Sequence, residues 1–157
     1  MRKLVTAAVA AALAVLSVAA FASASTHTAP GTTISFVAKT TQFAQIDLPP
    51  AGFGQGDQVV FHDLLVSQGK VIGHDGGSCQ ATFVAKGQVP QFQCVVTFVL
   101  RGGQVTVQGL LNIANPASFR GTFAITGGTG IYKTARGQAT IHQTSATLAT
   151  ITLSIIA

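Results

Sequence analysis

Few side chains in this chain can do chemistry. Of its 157 residues, four are acids (Asp47, Asp57, Asp63 and Asp75), none is glutamate, four are histidines and two are cysteines. Two facing carboxylates could work as an acid–base pair on a glycosidic bond, but nothing in the spacing indicates that any two of these acids meet. His27, His74 and His142 are too dispersed for a zinc centre, so no metal is expected. His62 and Asp63 are neighbours, and neighbours on a strand point to opposite faces, which rules out a catalytic pair between them. Asp63 has two accounts. It is either a rim acid pairing with a strand-end donor, or a pocket acid whose shifted pKa lets it take and deliver a proton.

The segment Gly127-Gly128-Thr129-Gly130-Ile131-Tyr132-Lys133-Thr134-Ala135-Arg136-Gly137 adds a cation. Three glycines in four positions suit a tight turn. A phosphate loop is excluded, because the lysine followed by Ser or Thr is missing and strand formers stand where a helix is needed. Read as a strand from Ile131, the segment places Tyr132, Thr134 and Arg136 on one face.

The elements that must position these residues follow from patterning. Arg2 and Lys3, an apolar run from Leu4 to Ala20 and Phe21-Ala22-Ser23-Ala24 form the order of a secretory signal peptide over 1–24. The mature protein is then secreted, with no stable membrane insertion. Loss of the leader removes two of nine basic residues and lowers the formal net charge from +5 to +3. The remaining cations are scattered, which argues against a nucleic-acid partner. Residues 25–33 read as a flexible lead-in, and 34–157 as one domain.

From Ile34 onward Val, Ile, Thr and Phe recur in short runs cut by Gly, Pro, Asn and Asp, which predicts strands near 34–40, 57–68, 70–74, 79–86, 91–101, 104–113, 118–126, 131–142 and 146–156. Turns are expected at Gly69-Lys70, Lys86-Gly87 and Gly102-Gly103. A meander of about eight strands closes most simply into an antiparallel barrel, which removes exposed edges. The fold class is all-β. Cys79 and Cys94 stand at mirror positions about Lys86-Gly87, so they oppose each other across a hairpin and are expected to form a disulfide. Neither cysteine has an activating motif around it. Strand 95–100 is apolar on both faces, which predicts a subunit interface over its outer side.

Phe61-His62-Asp63-Leu64-Leu65, Val105-Thr106-Val107-Gln108-Gly109 and the Gly127–Gly137 segment together resemble the FHD, β-strand and GGTG…ARG motifs of dirigent proteins and allene oxide cyclase-like barrels, in the same order. The resemblance implies an eight-stranded calycin-like barrel, commonly a trimer, whose interior steers a small hydrophobic intermediate, phenolic or polyketide-like, toward one coupling or cyclisation product. It implies no cofactor, and a separate oxidase where radicals are coupled. It assigns Asp63 and Arg136 to the pocket as catalytic residues, and we add Tyr132, Thr134 and Phe61 as ligand-binding. Two departures stand out. Gly130 occupies a position where several dirigent proteins carry aspartate, and the glutamate used by ring-closing cyclases is absent. Two readings therefore stand: a dirigent-like or cyclase-like steering protein, and a lipocalin-like carrier without turnover.

Overall fold

The computed structural model describes residues 31–156, so the leader and most of the lead-in lie outside the described residues. Eight strands run β1 Thr32–Ile46, β2 Gln58–Ser67, β3 Lys70–Phe83, β4 Gln91–Leu100, β5 Gly103–Asn112, β6 Phe119–Gly128, β7 Arg136–Ser145 and β8 Leu148–Ile156. Each pairs antiparallel with the next, and β8 pairs with β1, closing the barrel. One rim carries the β2–β3, β4–β5 and β6–β7 turns. The other carries the long 47–57 loop and the 84–90, 113–118 and 146–147 connections.

Alternation decides what fills the interior. On β4, Cys94, Val96, Phe98 and Leu100 are buried, while Val95 between them is exposed. On β8, Ala149, Ile151, Leu153 and Ile155 are buried, and Thr150 is exposed. Phe36 and Phe98 meet edge-to-face at 5.6 Å in this core. Glycine makes room where inward side chains are large: a Cβ on Gly77 would stand 2.5 Å from the Phe61 ring, so the ring lies flat over that backbone.

Several boundaries differ from the sequence reading, each for a local reason. β1 starts at Thr32, inside the expected lead-in, and continues to Ile46 through a bulge between Thr40 and Gln42. The expected strands at 70–74 and 79–86 are one strand, because β2 and β4 pair with the Asp75-Gly76-Gly77-Ser78 stretch from both sides. The first turn is Gln68-Gly69, both with positive φ, and not Gly69-Lys70. The β4–β5 turn is Arg101-Gly102, one residue before the expected position. The expected strand at 131–142 begins only at Arg136, since Gly130–Tyr132 form a 3-10 turn.

Cys79 and Cys94 are directly paired in register, 4.0 Å apart at Cα, and form the expected disulfide. With a sequence separation of 15, the bond should contribute about 3 kcal/mol through loop closure in the unfolded chain. Urea unfolding with and without reductant is expected to show a loss of that order, and the C79A/C94A variant should match the reduced protein. Equal midpoints in both conditions would refute this.

Candidate functional site

The middle of β2 and β3 brings two acids together. Asp63 and Asp75 are register partners, both pointing inward, with Thr40 beside Asp63 on β1 and Phe98 beside Asp75 on β4. Asp63 is 8% exposed and Asp75 2%. Their Oδ1 atoms are buried without a hydrogen-bond partner. This overturns the expectation that no two acids meet.

Two carboxylates in an apolar wall cannot both be charged at small cost. Burial raises the Asp63 pKa, opposed by a hydrogen bond from the Thr40 hydroxyl and by His62. Burial and then the Asp63 charge push Asp75 up to about 8. Near neutral pH the pair therefore holds a proton, with Asp75 the acid and Asp63 the natural acceptor beside it. A carboxylic acid kept neutral at that pH can donate a hydrogen bond or a proton, and a neighbouring carboxylate can receive one.

Between the pair and the 47–57 rim lies one aromatic step. Phe61, two residues from Asp63 on the same inward face, rests over Gly77, two residues from Asp75. Beyond it a mouth of about 130 Å³ is lined by Gln45, Ile46, Phe53, Asp57, Val59 and Phe92. Phe53, from the loop, stacks on Phe92 at 5.9 Å. Asp57 anchors the loop by accepting from the Leu48 and Gly54 N–H groups, which hold its carboxyl below the usual range. Phe43, register partner of Phe61, is 60% exposed. Small-molecule pockets commonly enclose about 300–1,000 Å³, so this mouth is smaller than a typical ligand site.

Arg136 is not brought to Asp63. It lies at the opposite rim, exposed, on the outward side of β7, and its guanidinium donates to the Ala135 carbonyl at 2.8 Å. The reason is the 3-10 turn, which breaks the strand periodicity that put Arg136 and Tyr132 on one face. Tyr132 is half-buried against the core at that rim, and Thr134 is exposed. Of the expected site residues, Asp63 and Phe61 share the interior near the mouth, and Arg136, Tyr132 and Thr134 sit at the other end.

Sequence reasoning missed Asp75. An unbroken hairpin about Gln68-Gly69 would set Asp63 opposite His74. The shift between Leu65 and Val66, with Ile72 as the extra residue, sets it opposite Asp75 instead. His74 is thereby turned outward, where its ring stacks on His62 at 5.5 Å.

The structure is a closed eight-stranded antiparallel barrel with a carboxyl pair in its wall and aromatic rings at one mouth. The chain belongs to the family described as allene oxide cyclase barrel like, whose model matches residues 32–155. Among solved structures, a pyocyanin demethylase is 31% identical, with 79% of this chain and 99% of that chain covered and a TM-score of 0.70. A pterocarpan synthase dirigent protein is 17% identical, covering 82% and 88%, with a TM-score of 0.61. A Diels-Alderase from Streptomyces koyangensis is 15% identical, covering 78% and 63%, with a TM-score of 0.66. The last two are alike in fold. No curated protein gives a significant match.

Proposed function

We propose that this protein binds a small hydrophobic molecule, phenolic or polyketide-like, in the barrel mouth and steers its coupling or cyclisation. The carboxyl pair of Asp63 and Asp75 supplies the proton exchange. The observation that carries this reading is the pair itself: two buried acids with unpartnered oxygens are costly in an apolar barrel. A protein selected only for stability would have replaced them. Phe61, Phe53 and Phe92 form the aromatic walls against which a flat ligand packs. In this reading Asp75 takes the place that the sequence motif offered to Arg136. Confinement holds the reacting atoms near their attack geometry, and the protonated acid stabilises charge that develops on a ligand oxygen or nitrogen.

The alternative is a carrier that holds the same class of ligand without turnover. The Asp63→Asn variant separates the two. Under steering, product bias or rate falls by about 10²-fold or more, the range for loss of a general acid–base group, while ligand affinity changes little. Under carriage, affinity follows the aromatic walls, so Phe61→Ala weakens binding and Asp63→Asn leaves it intact. Likeness to a pyocyanin demethylase over nearly all of that chain favours a second reading, in which the ligand is a pyocyanin-like N-methyl aromatic: a methyl proton is removed, water adds to the carbon, the C–N bond breaks to release formaldehyde, and the oxidised ring keeps the two electrons. Incubation with pyocyanin and analysis for a demethylated product tests it directly.

The same proposal places the protein outside the cell after loss of its leader, in agreement with the disulfide, a bond that persists in oxidising compartments. A separate oxidase would generate any radical it couples. On the outer side of β4 and β5, Val95 is 45% and Leu110 56% exposed. Burial of this face in a homotrimer is expected in sedimentation at micromolar concentration, and a monomer there would overturn it.

A further inference from the structure

The outer side of β6, β7 and β8 differs in chemistry from the apolar side. In register across the strands run Arg120, His142 and Thr150, and beside them Thr122, Thr140 and Thr152, extended onto β1 by Ser35. The six residues on β6, β7 and β8, together with Gly121 and Ile141, line a groove of about 470 Å³, far larger than the barrel mouth and within the size of small-ligand sites.

Two features of the groove call for a ligand. Arg120 directly faces His142, so a guanidinium stands beside an imidazole and carries a positive charge with no partner across the strands. No acid is at hand to offset it: Asp57, Asp63 and Asp75 are buried elsewhere, and Asp47 binds the Gly52 N–H in the 47–57 loop. The hydroxyls have their own logic. The Thr152 hydroxyl bonds that of Ser35 at 3.1 Å, whereas the exposed hydroxyls of Thr122, Thr140 and Thr150 bond no protein atom among the described residues. On paired strands such hydroxyls recur about every 5 Å, roughly the span between hydroxyls across a pyranose ring. Each threonine also presents a methyl group to the face of such a ring.

We propose that this groove is a second binding site, for an anionic sugar: a pyranose whose carboxylate or sulfate meets Arg120 and His142 while its hydroxyls bond the threonine ladder. The site is independent of the carboxyl pair, because every side chain it uses points away from the barrel interior.

The test is a titration of the 15N-labelled protein with D-glucuronate, alongside D-glucose and inorganic sulfate. Glucuronate should shift the amides of Thr122, Thr140 and Thr150, and bind more tightly than either control. Arg120→Gln should weaken it by about tenfold or more, the loss expected for one charged hydrogen bond. Thr140→Val, a β-branched replacement lacking the hydroxyl, should weaken it while leaving the fold unchanged. Sulfate binding as tightly as glucuronate would overturn the proposal, as would shifts spread evenly over Lys39, Arg136 and the other cations. An equal loss on Arg136→Gln would do the same. Asp63→Asn should leave glucuronate binding intact, which keeps this site separable from the barrel mouth.

Discussion

The Asp75→Asn variant is expected to be more stable than the parent at pH 8 by about 2–4 kcal/mol, and to lose the proton exchange on which the proposed reaction depends. Folding raises the Asp75 pKa from 3.8 to about 8. Between those values the folded state holds a proton that the unfolded state has released, so stability falls as pH rises through that window. The contribution is fully present below pH 4 and gone above pH 8. At about 1.4 kcal/mol per unit, the shift sets a ceiling near 6 kcal/mol. The expected gain is smaller because Asp63 titrates with its partner. Asparagine cannot ionise, and its amide can donate to the Asp63 carboxylate, so the pair becomes a neutral donor facing a charged acceptor. Melting temperatures at pH 4.5 and pH 8 read the effect: the parent should lose stability over that interval and the variant should lose much less. An unchanged slope would assign the titration to another group. Greater stability together with lost activity is the pattern of a residue kept for chemistry.

The second large effect falls on Gly130. Its φ of +60° lies in the left-handed region, and a Cβ there would run into the Gly102 carbonyl. On the other side of this contact, a Cβ on Gly103 would strike the Thr129 carbonyl. The two turns are sewn together by backbone bonds from Ile131 N–H to Gly102 O at 3.0 Å and from Thr129 N–H to Gln104 O at 2.9 Å. Gly130→Asp, which installs the acid that several dirigent proteins carry, therefore has no room here. It is expected to cost about 2–4 kcal/mol, as strain at a special backbone position does. Urea unfolding checks the magnitude. A near-neutral substitution would mean that the Arg101-Gly102 turn yields readily, and that the close approach is not what demands glycine. The departure from the dirigent motif thus has a structural cause as well as a chemical consequence.

The barrel was legible in the chain because its causes are local. Alternation on 149–155 names the buried face of β8 without reference to any other strand, and the mirror positions of Cys79 and Cys94 follow from one turn. The FHD resemblance assigns Asp63 to the pocket while its residue type alone leaves a rim position open, and the register on β2 is what buries it. Arg136 was misread because glycines and β-like residues after them do not announce a 3-10 turn. That turn is made by docking against Gly102-Gly103, some thirty residues earlier in the chain.

What the sequence determined by itself is the all-β meander, its closure and its cross-strand disulfide, all consequences of side-chain period and turn chemistry. Which acids meet was decided only in the tertiary structure. A single extra residue near Ile72 reverses the facing of everything after it on β3, moving His74 out and Asp75 in. Strand pairing on both sides holds Asp75-Gly76-Gly77-Ser78 extended, where the residues alone favour a turn. Period two makes register an all-or-nothing property, and the carboxyl pair depends on that one-residue shift.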